Sequence, residues 1–292
     1  MARKVDIRFL IIMLLWACGW QCAMAQDGND EKPLRPVASV ISAQYGHSSL
    51  LDTYLSPVRY GGHAISLNYE AQQATGFSPD KWTRQLSVGV DYDYTHNPAG
   101  NHTMHSLMVD GRWGMMHRWR DVLTSGLQLQ LGGATQFRGG VLYNANNSNN
   151  VVSARINWNV GLMGQAIYNT HIKQLPITVR YQAALPVMGV FFAPDYDEAY
   201  YEIYLGNRSN LAHFGWWGNR FDLDHMLSAD LHIGNTILRI GYRNRVSTSW
   251  INNISTRDMT HYIIIGLGGE FLNVGAKDRN KLNNKVISSV YQ

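Results

Sequence analysis

Cysteine is almost absent from this chain. Cys18 and Cys22 both lie within the first 25 residues, so the sequence that follows can form neither a disulfide nor a thiolate metal site. A catalytic thiol is excluded there for the same reason. The residues before Cys18 loosely resemble a lipobox, which leaves a lipid-modified protein as an alternative to the export signal described below.

A long apolar run is also missing after the N-terminal region. No stretch there approaches the ~18 residues that indicate a transmembrane helix. The formal net charge is only +4 over 292 residues, which gives no argument for nucleic acid as a partner. Lysine is rare on the polar faces of the segments described below, and several lysines fall instead in proposed turns or tails.

The N-terminus has the pattern of an export signal. A basic segment beginning at Arg3 precedes a short apolar core at 9–16, and an Ala-x-Ala motif ends at Ala25. This order predicts a secretory signal peptide that is cleaved between Ala25 and Gln26. The apolar core is too short to anchor the chain, because spanning a bilayer takes about 20 residues.

Segments of about ten residues alternate between apolar and polar side chains throughout the rest of the chain. In 154–162, Arg155, Asn157 and Asn159 share one face, and the residues between them are apolar. A period of two is that of a β-strand with one apolar and one polar face. The same alternation recurs at 65–71, 86–94, 107–115, 127–131 and 177–183.

One hairpin fixes a register. Gly234-Asn235 lies between two alternating runs, which predicts a two-residue turn. Closing this turn places Asp230 opposite Arg239 and Asp224 opposite Arg245, all on the polar face. Opposite charges at facing positions favour this register over its neighbours.

The polar faces favour a membrane barrel over a soluble sandwich. They carry Asn, Gln, Ser, Gly, Asp and Arg, whereas a water-facing sheet usually carries Lys and Glu. Tyrosine and tryptophan recur near the ends of the apolar stripes, as in the aromatic girdles of outer-membrane barrels. We therefore predict an all-β fold, an antiparallel transmembrane β-barrel, with a soluble exported β-domain as the alternative. The girdle residues are Tyr69, Tyr94, Trp113, Tyr181, Tyr242 and Trp250.

The predicted domain organisation has four parts. The signal peptide covers 1–25, a periplasmic segment covers 26–36, the barrel covers 37–271, and 272–292 is a tail that contains either an extra strand or a periplasmic extension at 286–291. The barrel is expected to have about ten strands, centred near 41, 66, 89, 109, 129, 157, 180, 228, 241 and 265.

Twelve strands remain an alternative count, because 199–205 and 211–217 also look like strands. Barrels of this type have short periplasmic turns and longer outer loops. The hairpin turn at 234–235 is therefore assigned to the periplasm. Counting outward from it places the longest connection, 189–220, outside and both termini of the mature chain in the periplasm.

One stretch resembles a known family. The segment YGHSSLLDTYLSP at 45–57, followed by Tyr60-Gly61-Gly62, resembles an uncharacterised family of outer-membrane barrels from Bacteroides-type bacteria. The likeness is clearest over 37–70. It implies a barrel in a Gram-negative cell envelope, and it implies no activity.

His47 and Ser49 are the candidate catalytic pair. They point the same way on a strand, so the imidazole could activate the hydroxyl. Outer-membrane phospholipases and lipid A deacylases use a similar His-x-Ser pair. The phospholipase pattern differs after the serine, however, since Ser49 is followed by Leu50-Leu51. The alternative is a strand end that runs into a structured loop.

The polar faces carry many charges into the predicted lumen. A barrel of ten strands has little free interior, and buried charges must pair or meet water. We therefore predict a structural network of ion pairs. The alternatives are a narrow pore and a site for an anionic ligand near Arg239, Arg243 and Arg245. The network residues are Asp110, Arg112, Arg155, Arg180, Asp224, Asp230, Arg239, Arg243 and Arg245.

The connection 189–220 combines carboxylates with aromatic residues. Its acids have oxygen ligands suited to Ca²⁺, although their spacing is not that of an EF-hand. We expect a solvated loop packed by its own aromatics. The histidines show no zinc spacing, and neither a metal nor a cofactor is predicted. The acids are Asp195, Asp197, Glu198 and Glu202.

These observations predict an outer-membrane barrel of unknown specific task. A narrow or plugged barrel that acts in binding or small-solute passage leads, ahead of a lipid hydrolase and a surface adhesion protein. The expected partners are outer-membrane lipid with lipopolysaccharide, the barrel assembly machinery and an unidentified small ligand.

Overall fold

The described residues contain eleven strands and one short helix. The computed structural model describes 33–147, 150–206, 210–272 and 286–291. The predicted leader over 1–25 lies outside them. The helix is α1 (Tyr200–Leu205). The strands are β1 (Val37–Asp52), β2 (Ser56–Ala74), β3 (Trp82–His96), β4 (Thr103–Trp119), β5 (Leu127–Tyr143), β6 (Val152–Ile172), β7 (Leu175–Phe192), β8 (Ala212–Trp216), β9 (Arg220–Ile233), β10 (Thr236–Ile251) and β11 (Ile254–Phe271).

Ten of these strands close into an antiparallel barrel. Each strand pairs with its neighbour in the order β1 to β7 and then β9, β10 and β11. Closure comes from β11, which pairs with β1 from Val37 opposite Phe271 to Asp52 opposite Thr256. The prediction of an all-β, ten-stranded antiparallel barrel is confirmed.

The two ends of the barrel differ in their connections. At the end that holds Val37 and Phe271, here called the terminal end, the turns are 75–81, 120–126, 173–174 and 234–235. At the opposite end, here called the loop end, the connections are 53–55, 97–102, 144–151, 193–219 and 252–253. Only 193–219 is long, because the strands extend further than their clearest alternation.

The region that suggested twelve strands folds differently. Residues 199–205 form α1 instead of a strand, and β8 pairs only with the loop-end part of β7. The helix begins where the Glu202 carboxylate accepts the backbone N–H of Ala199 at 3.0 Å. It ends at Gly206, whose φ of 115° is left-handed. In the described residues, no helix is long and apolar enough to cross a membrane.

The predicted hairpin has the expected register. Gly234 adopts a φ of 61°, as a two-residue turn requires. Asp230 lies opposite Arg239, and Asp224 lies opposite Arg245. This register turns all four side chains toward the lumen, where they are buried.

The two faces of the barrel wall have opposite character. The outward face carries exposed apolar side chains, including Ile263 at 65%, Ile265 at 60% and Leu267 at 61% exposure. The lumen face is polar and buried. Every Asp and Glu within the ten barrel strands lies on the lumen side of the alternation. The distribution is therefore inverted relative to a soluble protein.

Candidate functional site: the filled lumen and its two ends

A chain of charges crosses the lumen near the terminal end. Arg239 donates to the Asp230 carboxylate, with Nε at 2.6 Å from Oδ1, and its Nη1 lies 3.2 Å from Oε1 of Glu70. The same Oε1 of Glu70 lies 2.6 Å from Nη1 of Arg180. All four side chains are buried. Two positive and two negative groups thus share one buried network.

A second network lies toward the middle of the lumen. Asp224 accepts from Arg243 at 2.7 Å and from Arg112 at 3.1 Å. Arg245 stands opposite Asp224 in the register, but its guanidinium extends to Asp110, with Nη2 at 3.1 Å from Oδ1. Arg245 also pairs with Asp91, so its long side chain reaches carboxylates on two other strands across the narrow lumen. Register alone therefore does not determine which charges pair.

A small cavity lies at the loop end of the lumen. Its volume is about 50 Å³, and part of its wall is apolar, formed by Leu50, Met108, Leu142 and Phe191. Three arginines on the remaining wall each form an ion pair. The pairs are Arg138–Asp258 at 3.1 Å, Arg155–Asp52 at 2.7 Å and Arg220–Asp222 at 2.7 Å. We call this space the mouth cavity.

The motif at 45–57 forms a cap over the mouth cavity. Its turn inserts Tyr54 and Leu55 into the barrel, where both are buried. The Tyr54 hydroxyl donates to the backbone carbonyl of Glu198 at 2.8 Å. Burial, with smaller contributions from Tyr200 and Asp52, raises the pKa of Tyr54. The hydroxyl therefore stays protonated and remains a donor.

Loops from different strands interlock in this cap. The Tyr54 ring packs edge-on against Tyr200 of α1, with ring centroids 5.7 Å apart. Asn147 donates from Nδ2 to the carbonyl of Leu55 at 2.9 Å, and Asn252 donates to the carbonyl of Pro194 at 3.4 Å. The long connection 193–219 is thus tied to other loops at several points.

The terminal end is closed by residues 286–291. They were predicted as an extra strand or a periplasmic extension. They form no strand beyond one bridge, and a periplasmic location stays a prediction. A single bridge joins Val286 to Leu34, after which the segment turns into the barrel and buries Ile287 and Val290. The apolar residues of this segment fill an opening that the strands leave at the terminal end. We call 286–291 the terminal plug.

Polar side chains of the wall hold the terminal plug by its backbone. Arg118 donates to one of its carbonyls at 2.7 Å, and Gln128 and Gln130 both donate to another at 3.1 Å. The Tyr291 hydroxyl donates to Oδ2 of Asp230 at 3.1 Å, which joins the plug to the first charge network. The terminal plug therefore closes the lumen without a ladder of strand pairing.

His47 and Ser49 lie on the outward face of β1 near the loop end. Ser48 between them points into the lumen and approaches Thr260 at 3.4 Å. Neither His47 nor Ser49 makes a side-chain hydrogen bond within the described part of the chain. A histidine that activates a serine stands within about 2.6–3.2 Å of its hydroxyl. The structure does not join this pair in that way.

The carboxylates of the long connection are used within the loop. Oε2 of Glu198 lies 3.4 Å from the backbone nitrogen of Asp195, and Asn210 donates to the Asp195 carboxylate at 3.3 Å. Among the residues that the structure describes, no group of three or more His, Cys, Asp or Glu side chains is placed to hold a metal ion.

Several residues of these sites were not singled out from the sequence. Arg138 precedes Gly139-Gly140 and Arg220 follows Gly218, so the alternation is interrupted by glycine and the strand pattern is weak there. The terminal plug has no periodic signal at all. Its capture depends on Gln128, Gln130 and Arg118, which come from distant strands, and only a three-dimensional arrangement reveals this.

Comparison with known proteins gives one family and several distant structures. A family model described as "Protein of unknown function (DUF3316)" matches residues 7–278. No curated protein matches the chain in sequence. The translocator domain of the autotransporter NalP from Neisseria meningitidis has 9% identity and a TM-score of 0.34, covering 90% of this chain and 96% of that one. An outer membrane channel from Pseudomonas putida F1 has 9% identity and a TM-score of 0.32, covering 84% and 100%.

Proposed function

The chain belongs to the family described as a protein of unknown function (DUF3316), and we propose that it is an outer-membrane β-barrel with a sealed lumen and a mouth cavity that binds a small carboxylate. The observation that carries the proposal is the inverted wall, with apolar side chains outside and paired charges inside. The source among Bacteroides-type bacteria stays a prediction.

The outward face supports a place in a membrane. Its apolar stripe covers residues 37–45 of β1 and 263–271 of β11. A tilted strand needs about 9–11 residues to cross the hydrocarbon core. In water, an exposed apolar surface of this extent would drive aggregation. In lipid, the same surface is solvated by acyl chains, and the closed barrel leaves no unpaired strand edge.

The lengths of the connections support one orientation. Outer-membrane barrels have short periplasmic turns and longer outer loops, and the connection 193–219 is at the loop end. We place the loop end outside the cell and the terminal end, where the barrel chain begins near 37 and finishes near 271, in the periplasm. Export through a signal peptide at 1–25 and insertion by the barrel assembly machinery are part of this proposal.

The contents of the lumen support a sealed state. Removing a charged group from water costs several kcal/mol per ion, so charges buried in a lumen must pair with one another. Here paired charges occupy the middle, the terminal plug closes one end, and the Tyr54 cap closes the other. Free passage of solutes would require displacement of each of these seals.

The mouth cavity has the chemistry of a site for a small carboxylate. Each guanidinium has five donors, and Arg138 directs only its Nη2 to carboxylates, those of Asp258 and Asp91, while its Nε has no partner within the described residues. Arginine recognises carboxylates in a two-pronged geometry. The apolar wall suits a methyl or methylene group. A volume of about 50 Å³ limits the ligand to roughly the size of acetate.

A binding experiment tests this proposal. The refolded chain in detergent is titrated with acetate, and with acetamide as the neutral isostere, by calorimetry. We expect acetate to bind more tightly, and Arg138→Gln to weaken acetate binding about tenfold with little effect on acetamide. The control is Arg84→Gln on the outward face of β3, which should bind acetate as wild type does. Equal binding of both compounds would contradict the proposal.

Small-solute passage is a second candidate, favoured by the way the terminal plug is held. Its described contacts are hydrogen bonds and a few apolar side chains, with only one strand bridge. In planar bilayers we expect the full chain to be nearly non-conducting. A chain shortened after 285 should show larger and more frequent openings. An open, steady conductance of the full chain would instead make passage the leading function.

A further inference from the structure

The outward surface near the loop end carries a row of histidines. His261 of β11, His47 of β1 and His63 of β2 lie directly opposite one another across three neighbouring strands. Side chains at such facing positions have Cβ atoms roughly 4.5–5.5 Å apart. All three imidazoles are exposed. They therefore form one continuous surface.

This row lies where the apolar stripe ends. The next outward residues toward the terminal end are Ile263 and Tyr45, which are 65% and 57% exposed. The stripe below the row has the length that crosses the hydrocarbon core, about 9–11 residues. In the orientation proposed above, the histidine row lies at the level of the outer headgroups.

Two arginines continue the same surface toward the loop end. Arg257 and Arg59 lie on the outward faces of β11 and β2, four residues beyond His261 and His63. Both are exposed, and neither forms an ion pair within the part of the chain that the structure describes. We call these two arginines and the three histidines, His47 included, the outer cationic patch.

The surroundings of the patch contain no carboxylate on the outward face of its strands. On β3 and β10 the facing outward residues are Tyr94 and Asn244. The acids nearby in sequence, Asp52, Asp93 and Asp258, all lie on the lumen side of their strands. The patch therefore carries only positive or potentially positive side chains, and no carboxylate on the outward face of its strands neutralises them.

Tyrosines orient two of the imidazoles. The Tyr45 hydroxyl lies 2.8 Å from Nδ1 of His63, and the Tyr242 hydroxyl is hydrogen-bonded to Nδ1 of His261. When a hydroxyl donates to Nδ1, the proton of a neutral imidazole is on Nε2. The opposite edge of each ring is then left to donate to an anion.

We propose that the outer cationic patch binds a phosphate group of lipopolysaccharide in the outer leaflet. This inference rests on the proposed membrane location and orientation. The arginines supply charge at every physiological pH, whereas imidazole is the side chain that ordinarily changes charge between about pH 5 and 8. Bound phosphate favours the imidazolium, so the histidine contribution to affinity grows as the pH falls.

Lipid A with and without its phosphates tests the proposal. The full chain in neutral detergent with EDTA is titrated with each form at pH 5.5 and pH 8. We expect the phosphorylated form to bind about tenfold more tightly at pH 5.5. Basic residues near an anionic surface attract it, so Arg59→Gln with Arg257→Gln should reduce this preference to about twofold or less.

The histidines are tested by a triple variant with a matched control. His47→Gln, His63→Gln and His261→Gln together should weaken binding at pH 5.5 severalfold and leave binding at pH 8 nearly unchanged. Comparison with wild type separates this effect from titration of the phosphate itself. The control is His117→Gln, an outward histidine near the terminal end of β4, which should bind as wild type does.

Several outcomes would overturn the proposal. Equal binding of both lipids, by a chain that floats with vesicles, would contradict phosphate binding by the patch but would leave the proposed membrane location standing. Failure of the chain to insert into vesicles would contradict both the phosphate-binding proposal and the proposed membrane location. Displacement of lipid A by millimolar inorganic phosphate would assign a free-phosphate site. Binding that appears only in a parallel titration without EDTA would assign a metal-bridged contact.

Discussion

At the scale of single residues, the lumen depends on balanced charge. Arg239 contacts both Asp230 and Glu70, and Glu70 also contacts Arg180. Removing one member leaves an unbalanced charge where water is scarce. Breaking a buried pair in this way typically costs 3–5 kcal/mol, whereas removing both partners costs less.

We therefore expect Asp230→Ala to destabilise the barrel more than the double variant Asp230→Ala with Arg239→Ala. The double variant leaves Glu70 paired with Arg180, so the remaining charges balance. Urea unfolding in lipid vesicles measures both free energies. The account is contradicted if the double variant loses stability equal to the sum of the single losses.

The outward face requires apolar side chains, whereas the lumen requires paired charges. Ile265 lies in the apolar stripe and is 60% exposed. In a membrane, Ile265→Arg places a charge near the middle of the bilayer and should cost roughly 2–4 kcal/mol. The same substitution on the surface of a soluble protein is close to neutral. Unfolding in vesicles again measures the difference, with Ile265→Val as the control.

At the scale of elements, the sequence predicted strands well and irregular segments poorly. The period of two predicted the ten barrel strands because each strand separates lipid from lumen. Apolar and polar side chains therefore alternate along it. α1 and the terminal plug carry no such contrast. The helix at 200–205 depends on a local cap at Glu202, and the plug depends on contacts from distant strands.

The cap at the loop end gives a prediction for one such segment. Tyr54→Ala removes both the ring packing against Tyr200 and the bond to the Glu198 carbonyl. We expect proteinase K to cleave the connection 193–219 several times faster in this variant. Tyr54→Phe keeps the packing and should lie between Tyr54→Ala and wild type. Tyr201→Ala, an exposed residue of the same helix, is the control, and equal cleavage rates in all variants would contradict the role of the cap.

At the scale of the whole molecule, one pattern explains fold, register and environment together. Apolar residues outside and paired charges inside predicted the barrel, the hairpin register at 234–235 and the lumen position of Arg239. The partner choice of Arg245 was not predictable, since Asp110 is on a strand that is not its neighbour. The alternation also does not identify a ligand, because it reflects whether each face of a strand meets lipid or the lumen and not which molecule a site binds.

The most direct test of the central claim is to map which solvent each face of one strand meets. The chain has no cysteine after Cys22, so single cysteines can be placed at 263, 264, 265 and 266 of β11 and spin-labelled. In vesicles we expect labels at 263 and 265 to be accessible to oxygen dissolved in lipid, and labels at 264 and 266 to be protected from it. High accessibility of 263 and 265 to a water-soluble nickel complex would contradict the account, because the apolar face would then not meet lipid.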